Sequence, residues 1–141
     1  MSDRLPVKRL DPRATLPTRA HHDDAGLDLY ALEDSEVPPG EGRVLRTGVA
    51  VAVPAGHVGL VCDRSSLAKR GLKTAGGVID AGYRGEVGVV VWNLSRETQK
   101  VAKGERAAQM LVIPIAVPAP VDAEDLGATA RGVNGFGSTG R

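Results

Sequence analysis

The one phenylalanine of this 141-residue chain, Phe136, stands in RGVNGFGSTGR, residues 131–141, a run too rich in glycine to build a core around a ring. Gly132, Gly135, Gly137 and Gly140 let backbone N–H groups come close to an anion, and Ser138, Thr139, Arg131 and Arg141 add donors suited to phosphate oxygens. An aromatic face beside phosphate donors is the chemistry of a nucleotide site. Fixing the backbone costs roughly 1 to 2 kcal/mol per residue, and charge-assisted hydrogen bonds return about 1.5 to 3 kcal/mol each, so a ligand and this lid should order together. A frayed terminus also favours glycine and serine, but flexible linkers rarely carry a lone aromatic and two arginines.

Three further stretches hold reactive side chains. GVIDAGYRGEVGVVVWN puts Asp80 and Tyr83 on a glycine-rich turn, 80–85, leading into an apolar strand. A carboxylate there can orient and deprotonate a water, and the tyrosine offers a flat face to a sugar or base. An ordinary hairpin with a turn aspartate would read the same way. DDAGLDLYA offers Asp23, Asp24 and Asp28, carboxylates without Cys or paired-His ligands, which suit a hard hydrated ion such as Mg²⁺ and not zinc. His21, His22 and His57 read as solvated or structural. RSSLAKRG sets Arg64 and Ser65 at the start of a short helix, where phosphate oxygens are commonly held.

These groups need a rigid frame. Valine-rich runs at 43–47, 49–53, 57–62, 86–92 and 107–117, each ended by Gly or Pro, read as strands, and 18 glycines with 9 prolines punctuate them. The expected fold is all-β, a sandwich or jelly roll, with a single helix over 65–70 capped by Ser65 or Ser66. In GVAVAVP and EVGVVVW both faces are apolar, so both should be covered, with neighbouring subunits as one source of cover. Residues 118–130 are rich in proline and acid and read as an extended arm joining a body, 1–117, to the glycine-rich tail, 131–141, in one domain. With aromatic residues at 3%, the core must be aliphatic. Eighteen Lys+Arg against 17 Asp+Glu, a net charge of +1, argues against a polymeric nucleic-acid partner. The lone Cys62 reads as a small buried thiol, and the absence of a signal core or an apolar span of membrane length points to a cytoplasmic protein.

DAGLDLYA, RSSLA, GVIDAGYRG, GERAAQM and RGVNGFGSTG, in this order and spacing, resemble the five motifs of the trimeric dUTPases over residues 24–140. The resemblance implies a distorted jelly roll with a flexible C-terminal arm and a homotrimer whose three sites are shared between subunits. The implied reaction is Mg²⁺-assisted hydrolysis of dUTP to dUMP and pyrophosphate, which supplies dUMP and keeps uracil out of DNA. On this sequence Asp80 would activate the water that attacks the α-phosphorus, and Tyr83 would pack on the deoxyribose and exclude a 2′-hydroxyl. Gly77, Ile79 and Gly88 would contact the nucleoside, with the hairpin backbone reading the uracil edge. Asp28 would hold Mg²⁺ through water, and Arg64, Ser65, Ser66 and Gln109 would contact the phosphates. Phe136 would stack on uracil, while Arg131, Gly137, Ser138 and Thr139 secure the γ-phosphate end.

Two departures stand beside the match. Ser66 replaces the family's usual glycine and brings a side chain near the phosphates, and Asp63 stands where proline or a small residue is common. RSSLAKRGL also resembles the matching motif of the dCTP deaminases, which share fold and trimer, so a deaminase or a bifunctional deaminase-diphosphatase is the nearest rival. Against it, the position of the deaminase catalytic glutamate is Val90 here, and the GFGSTG tail is complete. A non-enzymatic nucleotide sensor on the same scaffold is the rival from another class, and a purely structural jelly roll would need none of Asp28, Asp80, Gln109 and the tail.

Overall fold

Strand pairing in the computed structural model, which describes residues 3–137 and Gly140, is antiparallel throughout. A four-stranded sheet runs in the order β2 (Leu27–Tyr30), β11 (Arg106–Pro114), β6 (His57–Cys62), β8 (Val78–Ile79). A three-stranded sheet runs β4 (Gly42–Arg46), β9 (Gly88–Asn93), β7 (Leu72–Ala75). Two ribbons, β1 (Val7–Arg9) with β5 (Val49–Val51) and β3 (Ser35–Val37) with β10 (Gln99–Val101), complete the body. The sheets are open, and none closes into a barrel.

The core is aliphatic. Leu29, Leu45, Val87, Val89, Val91 and Met110 are buried almost completely, while Tyr83, Trp92 and Phe136 lie outside. The alternation that sets a strand's inner face is plain in β2, where Leu27 and Leu29 turn inward and Asp28 and Tyr30 outward. Asn93 and Thr47 are the buried polar side chains among the described residues, and Asn93 has no exposed surface and every hydrogen-bonding group occupied. Its Nδ2 donates to Val37 O at 2.8 Å and Glu97 O at 2.7 Å, and its Oδ1 accepts from Ser95 N at 2.9 Å and Ser95 Oγ at 2.6 Å.

Several expectations change. Neither Ser65 nor Ser66 caps the helix α1 (Ser65–Lys69): the N-cap is Arg64, whose carbonyl accepts Leu67 N and Ala68 N while its side chain caps nothing. The helix is held instead by Leu67, buried among the core residues. All of β5 is covered within the chain, whereas β9 is covered by the chain itself on one face, leaving the other to the cover from neighbouring subunits that was one expectation. Its outer face, with Trp92, half-buried Val90 and the facing Val44 of β4, is an open apolar strip. The last strand stops at Pro114, three residues before the expected end, and Ile115 N to Gly56 O is the last backbone hydrogen bond to the rest of the body before the arm begins, among the described residues. Beyond it Val117, Val121, Leu126 and Val133 are all highly exposed. No helix of the described residues is long and apolar enough to cross a membrane.

Replacing Asn93 with alanine should cost about 4 kcal/mol, since four hydrogen bonds at about 1 kcal/mol each are lost from a buried site, and should lower the melting temperature by more than about 10 °C. Calorimetry of the Asn93→Ala variant checks this, and a shift below about 2 °C would show that water replaces the lost bonds.

Candidate functional site

A cavity of about 360 Å³ opens over the outer face of the four-stranded sheet, lined by Ala20, Asp24, Ala25, Gly26, Asp28, Arg64, Ser65 and Gln109. Pairing across β2, β11 and β6 places Asp28 opposite Gln109 and Gln109 opposite Cys62. Arg106 also faces Tyr30 across β2, and this needs a β-bulge. Positions 106 and 109 are an odd number of residues apart, so a regular strand would send them to opposite faces; the register shift between Arg106 and Ala108 turns both outward and leaves Ala107 and Ala108 buried.

Asp28 lies between two guanidinium groups, with Arg64 Nε at 3.2 Å and Arg106 Nε at 3.5 Å. Arg106 is itself steadied by Tyr30, whose Oη is 3.4 Å from its Nε and whose ring centroid is 5.9 Å from its Cζ. Tyr30 Oη in turn sits 2.6 Å from Thr18 Oγ1. Hydrogen bonding to Thr18 and then to Arg106 lowers the tyrosine pKa, and the same contact with Tyr30 raises that of Arg106, so the cation is secure. Gln109 Nε2 donates to the backbone carbonyl of Asp63 at 2.8 Å. Gly26 leaves the space for this: a Cβ there would overlap the Gln109 carboxamide. Two cations about one carboxylate, with amide and hydroxyl donors beside them, make a receptor for a polyanion.

Of the expected acidic ligands, Asp28 and Asp24 line the cavity and Asp23 does not. Asp24 also accepts His21 N at 2.9 Å and shapes the loop. Ser66 is exposed and outside the lining, while Ser65 belongs to it. His57 lies elsewhere, half-buried on β6 with Nδ1 3.0 Å from Ala55 O. Cys62 is half-buried at the end of β6. Among the described residues no group of three or more His, Cys, Asp or Glu side chains gathers to hold a metal.

Asp80 and Tyr83 do not line the cavity. The turn that carries them is closed by Tyr83 N to Asp80 O at 3.0 Å. Tyr83 Oη donates to Glu86 O at 2.8 Å, and Glu86 is gripped by both Arg46 nitrogens at 3.1 and 3.0 Å, so the ring lies pinned across the turn with its face partly open. Exposed Asp80 has no side-chain hydrogen bond or ion pair among the described residues. Gly77 and buried Ile79 lead into this turn, and Gly77 O accepts Val61 N at 2.8 Å, with no room for a Cβ because Val61 O would crowd it. Gly88 begins β9.

The tail forms a third group. Arg131 Nε donates to Asn134 O at 2.7 Å, and Phe136 is fully exposed with φ 49°, a backbone conformation few non-glycine residues adopt. Gly137 is exposed, and Ser138, Thr139 and Arg141 lie outside the described residues. The expected site residues are thus gathered in part: Asp28, Arg64, Ser65 and Gln109 share one cavity, whereas the Asp80 turn stands apart from it and no backbone hydrogen bond of the described tail reaches the body. Arg106, Tyr30 and Gly26, which support Asp28 and Gln109, lie inside motifs noted in the sequence, but only the pairing of distant strands reveals their contacts.

The sequence model of the dUTPase family matches residues 12–140. Among curated proteins, the deoxyuridine 5′-triphosphate nucleotidohydrolase of Mycobacterium marinum is 48% identical over 99% of this chain and 97% of its own length, and that of Mycobacterium tuberculosis is 47% identical over the same shares. The dUTPase of Staphylococcus bacteriophage 80alpha, solved with dUPNHPP, superposes with a TM-score of 0.89 at 32% identity, covering 99% of this chain and all of that one. A mutant dUTPase from phage phi11 of S. aureus, studied for its coordination of a structural Mg(II) ion, superposes with a TM-score of 0.80 at 29% identity over 88% of this chain and 99% of its own. With its fold, its motifs and nearly its whole length in agreement, this chain belongs to the dUTPase family.

Proposed function

We propose that this protein hydrolyses dUTP to dUMP and pyrophosphate as a homotrimer with shared sites. The observation that carries the reading is a polar cavity into which three separated motifs converge, Asp24 and Asp28 from the first, Arg64 and Ser65 from the second and Gln109 from the fourth. Arg64, Ser65 and Gln109 hold the phosphate chain there. Asp80 and Tyr83 serve the nucleoside and the attacking water, with Gly77, Ile79 and Gly88 shaping the uracil pocket. The tail, through Arg131, Phe136, Gly137, Ser138 and Thr139, closes over the nucleotide. The separation of these groups within one chain, the open strip of Val44, Val90 and Trp92, and the exposed apolar residues of the arm all support sites completed by neighbouring subunits. Each chain then acts as one unit of body 1–117, arm 118–130 and tail 131–141.

Phosphoryl transfer asks for positioning and charge neutralisation more than for covalent help. Asp80 takes the proton of the water as its oxygen bonds to the α-phosphorus, and the bond to the bridging oxygen breaks to release pyrophosphate. Tyr83, pinned by Glu86, fills the space beside the sugar that a 2′-hydroxyl would need. The donor set suits Mg²⁺, which is typically held by one or two carboxylates together with substrate phosphates and keeps several waters. Asp28 would be the carboxylate that holds the ion, and Mg²⁺ when bound would neutralise triphosphate charge. The nucleotide is the partner, not a nucleic-acid polymer, and the cytoplasm is where such a substrate is met.

Product analysis after separate incubation with dUTP, dCTP and UTP in Mg²⁺ tests the reading. dUTP alone should yield its monophosphate and pyrophosphate; ammonia from dCTP would favour the deaminase, and binding without turnover the sensor. Asp80→Asn should keep its affinity for dUTP and lose at least about 100-fold in kcat, the scale of general-base assistance. Near-normal turnover would exclude Asp80 as the base. Gly26→Ala should fold normally yet raise the KM for dUTP about tenfold, because Gln109 must swing out of place; steady-state kinetics and a melting curve separate the two effects.

A further inference from the structure

Asp63, the first of the two residues between β6 and α1, is the joint on which Arg64 and Ser65 turn. Its Oδ1 accepts hydrogen bonds from Thr74 N at 2.6 Å and Thr74 Oγ1 at 2.7 Å, and its Oδ2 accepts one from Lys73 Nζ at 2.7 Å. Its backbone carbonyl accepts Gln109 Nε2 at 2.8 Å. Thr74 and Lys73 belong to β7, in the three-stranded sheet, whereas Gln109 belongs to the four-stranded one. One residue therefore joins the two sheets and fixes the segment that enters the cavity, without lining the cavity itself.

We propose that Asp63 is a positioning residue for triphosphate recognition, whose carboxylate clasp on β7 sets where Arg64 and Gln109 present their donors. The proposal rests on the dUTP reading above. Burial alone would raise the carboxyl pKa, but the bonds from Lys73 and Thr74 outweigh it and hold Asp63 below the usual carboxylate range, so the clasp stays ionised at neutral pH. The fold has other ties in this region: Val61 N to Gly77 O at 2.8 Å, and the buried side chains of Leu67 and Leu72. Losing the carboxylate frees the 63–65 segment while the sheets remain packed. A displacement of this size at phosphate-binding donors weakens the triphosphate more than the monophosphate, which lacks the two outer phosphates.

The test is calorimetric affinity for the non-hydrolysable analogue dUPNHPP and for dUMP, with kcat and KM for dUTP, in the wild type, Asp63→Ala, Asp63→Asn and Thr74→Val. Asp63→Ala should lose about tenfold or more for dUPNHPP and no more than about twofold for dUMP, with the loss in kcat/KM carried by KM. Asp63→Asn keeps an oxygen for Thr74 and should recover affinity to within about threefold of wild type. Thr74→Val, which removes one bond and keeps the shape, should lose about threefold for the analogue alone, and it stands in if Asp63→Ala does not fold. Equal losses for the two ligands, or none for either, would overturn the positioning role. Wild-type protein that neither binds dUPNHPP nor turns over dUTP would overturn the dUTP reading and this proposal with it, whereas a normal wild type with an unaffected variant overturns this proposal alone.

Discussion

The bulge in β11 is the constraint on which the site depends. A strand alternates its side chains with a period of two, so Arg106 and Gln109 can share a face only if one residue is inserted between them, and Ala107 is that residue. Two small buried alanines let the backbone kink without opening a gap in the core. With the bulge in place, Arg106 meets Tyr30 and Asp28, and Gln109 meets Asp28 on one side and Asp63 on the other. A one-residue slip would bury these polar groups and expose Met110, so the same hydrophobic pattern that folds the sheet also fixes the chemistry.

The polar network built on this register is mostly between charged or strongly polar partners at the rim of a cavity, where ion pairs add little net stability. Its value lies in pre-organisation. Asp28 holds two guanidinium groups near each other, and their mutual repulsion is thereby offset at the edge of the cavity. The turn of Asp80 is organised on the same principle from a different direction, with Tyr83 pinned by Glu86 and Glu86 by Arg46, forty residues away in sequence. Asp80, the base of the proposed reaction, has no side-chain partner among the described residues.

What was legible in the sequence follows from how local its causes are. The turn at 80–85 is written in glycine and aspartate, and β6 in an apolar run bounded by Gly56 and the charged Asp63, so both are found where expected. Strands β1, β2, β3, β7, β8 and β10 have only two to four residues, and all but β8 carry a charged side chain, so they exist through pairing and not through propensity. Serine at the helix start suggested a cap, but the chain arrives directly from β6 and the Arg64 carbonyl closes the first turn. The family motifs located Asp28, Arg64 and Gln109 as residues of interest; that Arg106 belongs with them depends on Tyr30 lying opposite across a bulge, which no single stretch of sequence encodes.

The most direct test of the account is the fate of the attacking oxygen. Hydrolysis of dUTP in ¹⁸O-water, followed by mass analysis of both products, should place the label in dUMP and leave pyrophosphate unlabelled, as attack on the α-phosphorus from the Asp80 side requires. Label in pyrophosphate would mean that water attacks the β-phosphorus, and would contradict the assignment of Asp80 and the cavity to their present roles.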